Sequence, residues 1–212
     1  MRSSFWLTTI VLASAAVVAA QSASGAAAIA NKFDTPQARV YIATLQPHVP
    51  VPSRSGHATN RVLIYMDDGV MTRQDSDGKV QQLAFHRGDI RWRPASGPYI
   101  AENVSDHPVR LLEIDLKGKP AGPAPATKLD PTVVDAAHYK VALENDQVRV
   151  IRVHYGAREK GAEHEHILNR VVLVLNDQPG GKTDDVRMAG AVVHAEQNES
   201  DQPADRIAVE LK

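Results

Sequence analysis

Three histidines in this chain have the type and spacing to hold a metal ion. His164-Glu165-His166 sets two imidazoles two residues apart, and His194 supplies a third from another segment. On a β-strand, side chains at i and i+2 point to one face, so His164 and His166 would share a surface while Glu163 and Glu165 face away. Three neutral imidazoles suit Zn, Cu, Fe or Ni, with Mn a further candidate, and leave positions for solvent or substrate. An ion held in this way could polarise a carbonyl or activate water or dioxygen. The competing reading is a solvated polar strand that binds nothing.

Other candidates surround this set. Arg61 and Arg170 each follow an Asn and precede an apolar strand. A buried guanidinium there could hold a carboxylate or phosphate ligand. The commoner outcome for such an arginine is a structural ion pair or solvent. Tyr99 could offer a hydroxyl to a ligand, although large aromatics more often serve a core. Asn103 and Asn198 each begin Asn-x-Ser, a weak glycosylation signal better explained by a repeated turn. His48, His86, His107, His138 and His154 show no partner arrangement in the sequence. Cysteine is absent, which excludes thiol nucleophiles, thiolate ligands and disulfides. There is no Gly-rich phosphate loop and no serine elbow.

The elements that must position these residues come in two copies. Residues 99–117 and 194–212 share an Asn, then Ser-Asp-x-Pro, then an alternating strand ending acid-Leu-Lys. The block from His57 through Asn60-Arg61 matches the block from His166 through Asn169-Arg170. Arg39-Val40 resembles Arg149-Val150 upstream, so three blocks recur in one order, as a duplication requires. Within each half, short runs of Val, Ile, Leu and Tyr alternate with polar residues between Gly, Pro, Asn and Asp. Strands are expected at 39–45, 61–66, 70–74, 80–85 and 110–116, with turns at Asp77-Gly78 and Gly180-Gly181. A helix is expected only near 131–137, capped by Asp130 with Pro131 at its first position. Half one is placed at 31–117, a Pro/Ala-rich linker at 118–135, and half two at 136–212. Half two is shorter between its shared Asn residues, which predicts the loss of a strand turn and of the stretch matching Gly88 to Pro94.

The stretch Gly88 to Asn103 resembles the second cupin motif, with Pro94 in place, Ser96 at a glycine position and Tyr99 at the histidine position. His164-x-His166 resembles the first cupin motif, with Arg170 near the position of its glutamate. The resemblance implies an all-β fold of two jelly-roll barrel halves, the second shortened, with a metal held by His164, His166 and His194. By the same counting, Ser55 and His57 match His164 and His166, and Tyr99 matches His194, so half one has lost two of three histidines.

Bulk properties bound the function. The formal charge is −1 with no basic cluster. Nucleic-acid binding needs a positive footprint, so it is not expected. Arg2 followed by an apolar run from Phe5 to Ala20 and small residues beyond reads as a secretory signal peptide over 1–25, which places the mature chain in the periplasm or outside the cell, off the membrane. The expectation is an exported binder of a small molecule, anion or metal. Its alternatives are a metal-dependent oxygenase or isomerase, and a structural barrel that pairs into homodimers through strand edges.

Overall fold

The computed structural model describes residues 27–53, 58–123 and 125–212. The proposed signal peptide falls wholly outside the described residues, and Ser55 and His57 lie outside them as well. No helix among the described residues is long and apolar enough to cross a membrane.

The period-two pattern of half one forms strands close to the expected bounds. They are β1 (Ala28–Asp34), β2 (Ala38–Leu45), β3 (Pro50–Pro52), β4 (Arg61–Tyr65), β5 (Gly69–Asp75), β6 (Val80–Phe85), β7 (Ile90–Arg93), β8 (Tyr99–Asn103) and β9 (Val109–Leu116). One sheet has the order β1-β2-β9-β4-β7 and the other β3-β8-β5-β6. Half two begins with α1 (Pro131–Val134), where Asp130 accepts from Thr132 N and Pro131 opens the helix as expected. The strands follow as β10 (Tyr139–Glu144), β11 (Val148–Tyr155), β12 (His164–His166), β13 (Arg170–Val174), β14 (Val186–Ala189), β15 (Val192–His194) and β16 (Ala204–Leu211). Their order is β10-β11-β16-β13-β14 in one sheet and β12-β15 in the other. The chain is thus all-β, with two cupin-type jelly-roll halves.

The halves correspond at several matched positions. Arg39 and Arg61 both pair in register with Asp115, as Arg149 and Arg170 both pair with Glu210. The outer ladders slip at matching places, between Asn31 and Phe33 and between Val141 and Leu143. The shared asparagines do the same work. Asn103 donates to Leu45 O and His107 O while accepting from Ser105 N; Asn198 donates to Gly156 O and Gln202 O while accepting from Ser200 N. Both are buried, at 0% and 4% exposure, so the Asn-x-Ser pattern is turn chemistry and not a glycan acceptor.

The two five-stranded sheets pack against each other. Val40, Val62, Ile64, Leu112 and Ile114 of half one meet Val150, Val171, Leu173, Ile207 and Val209 of half two in one buried cluster. Each such side chain contributes about 1.5–3 kcal/mol relative to exposure. Trp92 packs on the edge of this cluster. A pseudo-twofold relation continues at the rim, where Asn60 donates to Gln147 at 2.5 Å and Asn169 donates to Gln37 at 2.8 Å. Arg87 and Arg110 both reach Asp184 across the junction, at 2.6 Å each.

Because one face of each sheet is spent on this junction, the opposite face must line the barrel. Alternation along β13 sends Val171 and Leu173 to the shared core, which leaves Arg170 and Val172 facing inward.

Half two is shorter for a reason that differs in part from the sequence expectation. The stretch matching Gly88 to Pro94 is present, as β14 pairs with β13 just as β7 pairs with β4. What is missing is the β5–β6 hairpin, so β13 runs into β14 through a turn at Gln178–Gly181. The end of the expected linker also belongs to half two, since Glu165 N donates to Leu129 O at 2.8 Å.

Candidate metal centre

Strand β12 carries His164 and His166 on one face, as their spacing predicts, and pairs antiparallel with β15 so that His164 stands opposite His194. The three rings converge. Their centroids are 4.5 Å apart for His164 and His194, 5.1 Å for His164 and His166, and 5.6 Å for His166 and His194. One nitrogen from each lies within 4.8 Å of the others. His164 is 0% exposed and His166 is 3% exposed, which excludes the solvated-strand reading.

Hydrogen bonds settle which nitrogens face inward. His164 Nδ1 lies 2.9 Å from Ala162 O. A carbonyl only accepts, so Nδ1 carries the proton and Nε2 keeps a free lone pair. His166 Nδ1 lies 3.2 Å from Glu210 Oε1, and the same argument leaves its Nε2 bare. Glu210 is anchored in turn by Arg149 at 2.7 Å, and Arg149 by Asp130 at 2.5 Å. A carboxylate that orients a histidine in this way is the usual outer support of a metal ligand. His164 Nε2 and His194 Nε2 are buried with no hydrogen-bond partner. Unsatisfied buried nitrogens are costly, and a metal ion would satisfy them. Burial lowers the pKa of His166 and of His194, with neighbouring His164 adding to the effect, which favours the neutral, ligating form of these two rings. The donor set therefore fits a divalent transition metal.

A buried polar chain backs this centre, and sequence reasoning missed it. The Tyr139 ring lies 4.6 Å from His164, and its hydroxyl donates to Glu196 at 2.9 Å. Tyr155 donates to Asp135 at 3.0 Å and lies 3.4 Å from the Tyr139 hydroxyl. His138 stacks on Tyr155 and reaches Asp135 at 2.6 Å and Glu159 at 3.3 Å. The absence of a partner for His138 is thus corrected: its partner is only three residues back, in the turn that α1 creates. Gly161 makes room for the chain, since a Cβ there would collide with Asp135 and the Tyr155 hydroxyl.

The predicted arginines and tyrosine separate. Arg61 is 4% exposed and ion-paired to Glu113 at 2.7 Å and Asp115 at 3.2 Å, so its charge is already matched. Arg170 occupies the matching position with Ala208 where half one has Glu113. Its Nη1 donates to Gly190 O at 2.6 Å, and it lines a cavity of about 210 Å³ with Arg187 and Arg206. Burial lowers the Arg170 pKa, Glu210 opposes that, and its charge is felt at both His166 and His194. Tyr99 stands in a separate cavity of half one under the Arg73 guanidinium, 4.0 Å from its ring. Tyr99 pairs with Ser53: Ser53 N donates to Tyr99 O at 2.7 Å and Tyr99 N to Ser53 Oγ at 3.0 Å.

Comparison with known proteins agrees with this fold. No family model matches the sequence, and no curated protein does. Among solved structures, the chain is similar to AerE of Microcystis aeruginosa, with a TM-score of 0.60 and 10% identity over 88% of this chain and 98% of that one. It is similar to a cupin 2 conserved barrel domain protein of Leptotrichia buccalis, with a TM-score of 0.58 and 12% identity over 91% and 92%. An oxalate decarboxylase variant of Bacillus subtilis matches with a TM-score of 0.56 and 11% identity over 89% and 78%. The fold is therefore that of cupins. At such identities the likeness extends to the fold alone.

Proposed function

We propose that this chain is an exported metal-binding cupin, arisen by internal duplication, whose working centre is the three-histidine set of half two. The observation that carries this reading is the pair of buried, unpartnered Nε2 atoms of His164 and His194 beside a His166 ring oriented by Glu210. Such an ion acts as a Lewis acid for a bound oxygen ligand. Among the described residues no carboxylate forms an ion pair with Arg170, which adds positive charge beside the centre and favours a small anionic ligand. The exported location rests on the signal-like stretch 1–25.

Elemental analysis of the purified protein tests this. One divalent metal per chain is expected, with none after His164→Ala, His166→Ala and His194→Ala are combined. A chain that takes up no Zn, Fe, Mn, Ni or Cu, or a triple variant that keeps its metal, contradicts the proposal.

A second reading makes the centre catalytic, of oxygenase or isomerase type. It is favoured by the hydrogen-bonded chain from Glu159 through His138, Asp135 and Tyr155 to Tyr139, which lies against two ligand rings. Such a chain can carry a proton between the surface and the Tyr139 hydroxyl, which itself donates to Glu196 beside the centre. Turnover of a small-acid panel by the metal-loaded protein, slowed by Tyr139→Phe with metal content unchanged, is the expected result; no turnover dismisses this reading.

A further inference from the structure

Half one holds a second cavity, of about 170 Å³, that the metal centre does not use. Its walls are mostly apolar, with Leu45, Leu63, Met71, Leu83 and Leu111 among them. Its interior also receives Arg91 and Arg93 from β7, two residues apart and hence on one face. Ile90 and Trp92, which alternate with them along the strand, turn to the shared core.

The two arginines differ from their neighbours. Arg61 is matched by Glu113 and Asp115, and Arg73 by Asp75 at 2.7 Å. Among the described residues, no carboxylate forms an ion pair with Arg91 or Arg93. Both cations are felt at the Tyr65 hydroxyl: burial raises its pKa, and Arg93 and Arg91 pull it back down. Both arginines are half-buried at the cavity wall, the lining carboxylate Glu113 is paired with Arg61, and an anion in the cavity would offset their charge. Two guanidinium forks side by side suit a carboxylate. The volume exceeds the roughly 150 Å³ of an engineered cavity that admits benzene.

We propose that half one is a metal-independent site for a small organic carboxylate with an apolar body the size of a single ring. The carboxylate lies on Arg91 and Arg93, and the body lies against the leucines and Met71. This places an acid-binding site and a metal site in separate barrels of one chain.

Isothermal titration and thermal shift with benzoate, phenylacetate and hexanoate test this, with benzamide and inorganic phosphate as controls. At least one of the three acids is expected to bind and raise the melting temperature, since a ligand of the native state alone must do so. Benzamide should not. Arg91→Gln combined with Arg93→Gln should weaken binding about tenfold or more, because charge-assisted bonds are lost. Met71→Phe, which fills the apolar wall without touching charge, should weaken benzoate binding as well. The triple histidine variant should bind the acids unchanged, which separates this site from the metal centre. The proposal is overturned if none of the three acids binds, if phosphate or benzamide binds as well as benzoate, if both cavity variants bind as the wild type does, or if the triple histidine variant loses binding.

Discussion

Arg61 and Arg170 hold the same place in the same sheet order, yet the chemistry around them differs. In half one, Glu113 and Asp115 neutralise the guanidinium, Tyr99 stands at the histidine position, and the β5–β6 hairpin encloses a cavity. In half two, Ala208 replaces Glu113, Glu210 turns to His166 and Arg149, the hairpin is missing, and three imidazoles converge. The sheets that pack together are the same in outline on both sides. The inward faces are free to differ because alternation along each strand separates packing from chemistry. The two halves therefore share a junction and a sheet order while their interiors differ.

The strongest test of a common junction is a cavity at its centre. Leu112→Ala should cost about 2–5 kcal/mol, the range for a fully buried leucine. Chemical denaturation should still show one transition, because the cluster draws on both halves. Two separate transitions would break the picture of one shared core.

Matched substitutions sharpen the comparison. Asn103→Ala and Asn198→Ala should each destabilise by about 1–3 kcal/mol, since each leaves buried carbonyls and an amide unsatisfied. Similar costs in the two variants, read from denaturation midpoints, are the expected result. Unequal chemistry should appear one strand away. Glu210→Gln should weaken metal binding by about 10–100-fold, the usual effect of removing a carboxylate that orients a ligand histidine. Asp115→Asn, its counterpart, should leave metal affinity unchanged in a competition titration.

The smallest effect concerns the polar rim of the junction. Burial pushes the Asp67 carboxyl up, but hydrogen bonds from Arg110 outweigh it and hold it below 3.8. A carboxyl depressed in the folded state contributes stability that is complete above its unfolded pKa and is lost as the pH falls through its folded value. The melting-temperature gap between wild type and Asp67→Asn should be constant above about pH 5 and shrink below pH 3.8.

Much of this was legible in the sequence. The strand bounds follow from period-two alternation, the cap at Asp130 from local turn chemistry, and the sheet correspondence from the repeated Asn-Arg and Ser-Asp-x-Pro blocks. The three histidines were legible because a strand fixes the facing of i and i+2 and the repeat supplies His194. Their support was not. Glu210 is 44 residues from His166, and only the pairing of β13 with β16 brings it near. The Asp135–Tyr155–Tyr139 chain joins a helix end to two strands, which no local pattern records. Arg91 and Arg93 were hidden within a motif read for its Gly and Pro spacing. The missing β5–β6 hairpin was misplaced because counting between shared asparagines reports a deficit without locating it.

The central claim is that half two holds the metal and half one does not. Crystals of the zinc-loaded protein, measured on both sides of the zinc absorption edge, test it most directly. One anomalous peak is expected, about 2.0–2.1 Å from the Nε2 atoms of His164, His166 and His194. A peak in the Tyr99 cavity, or none in half two, would contradict it.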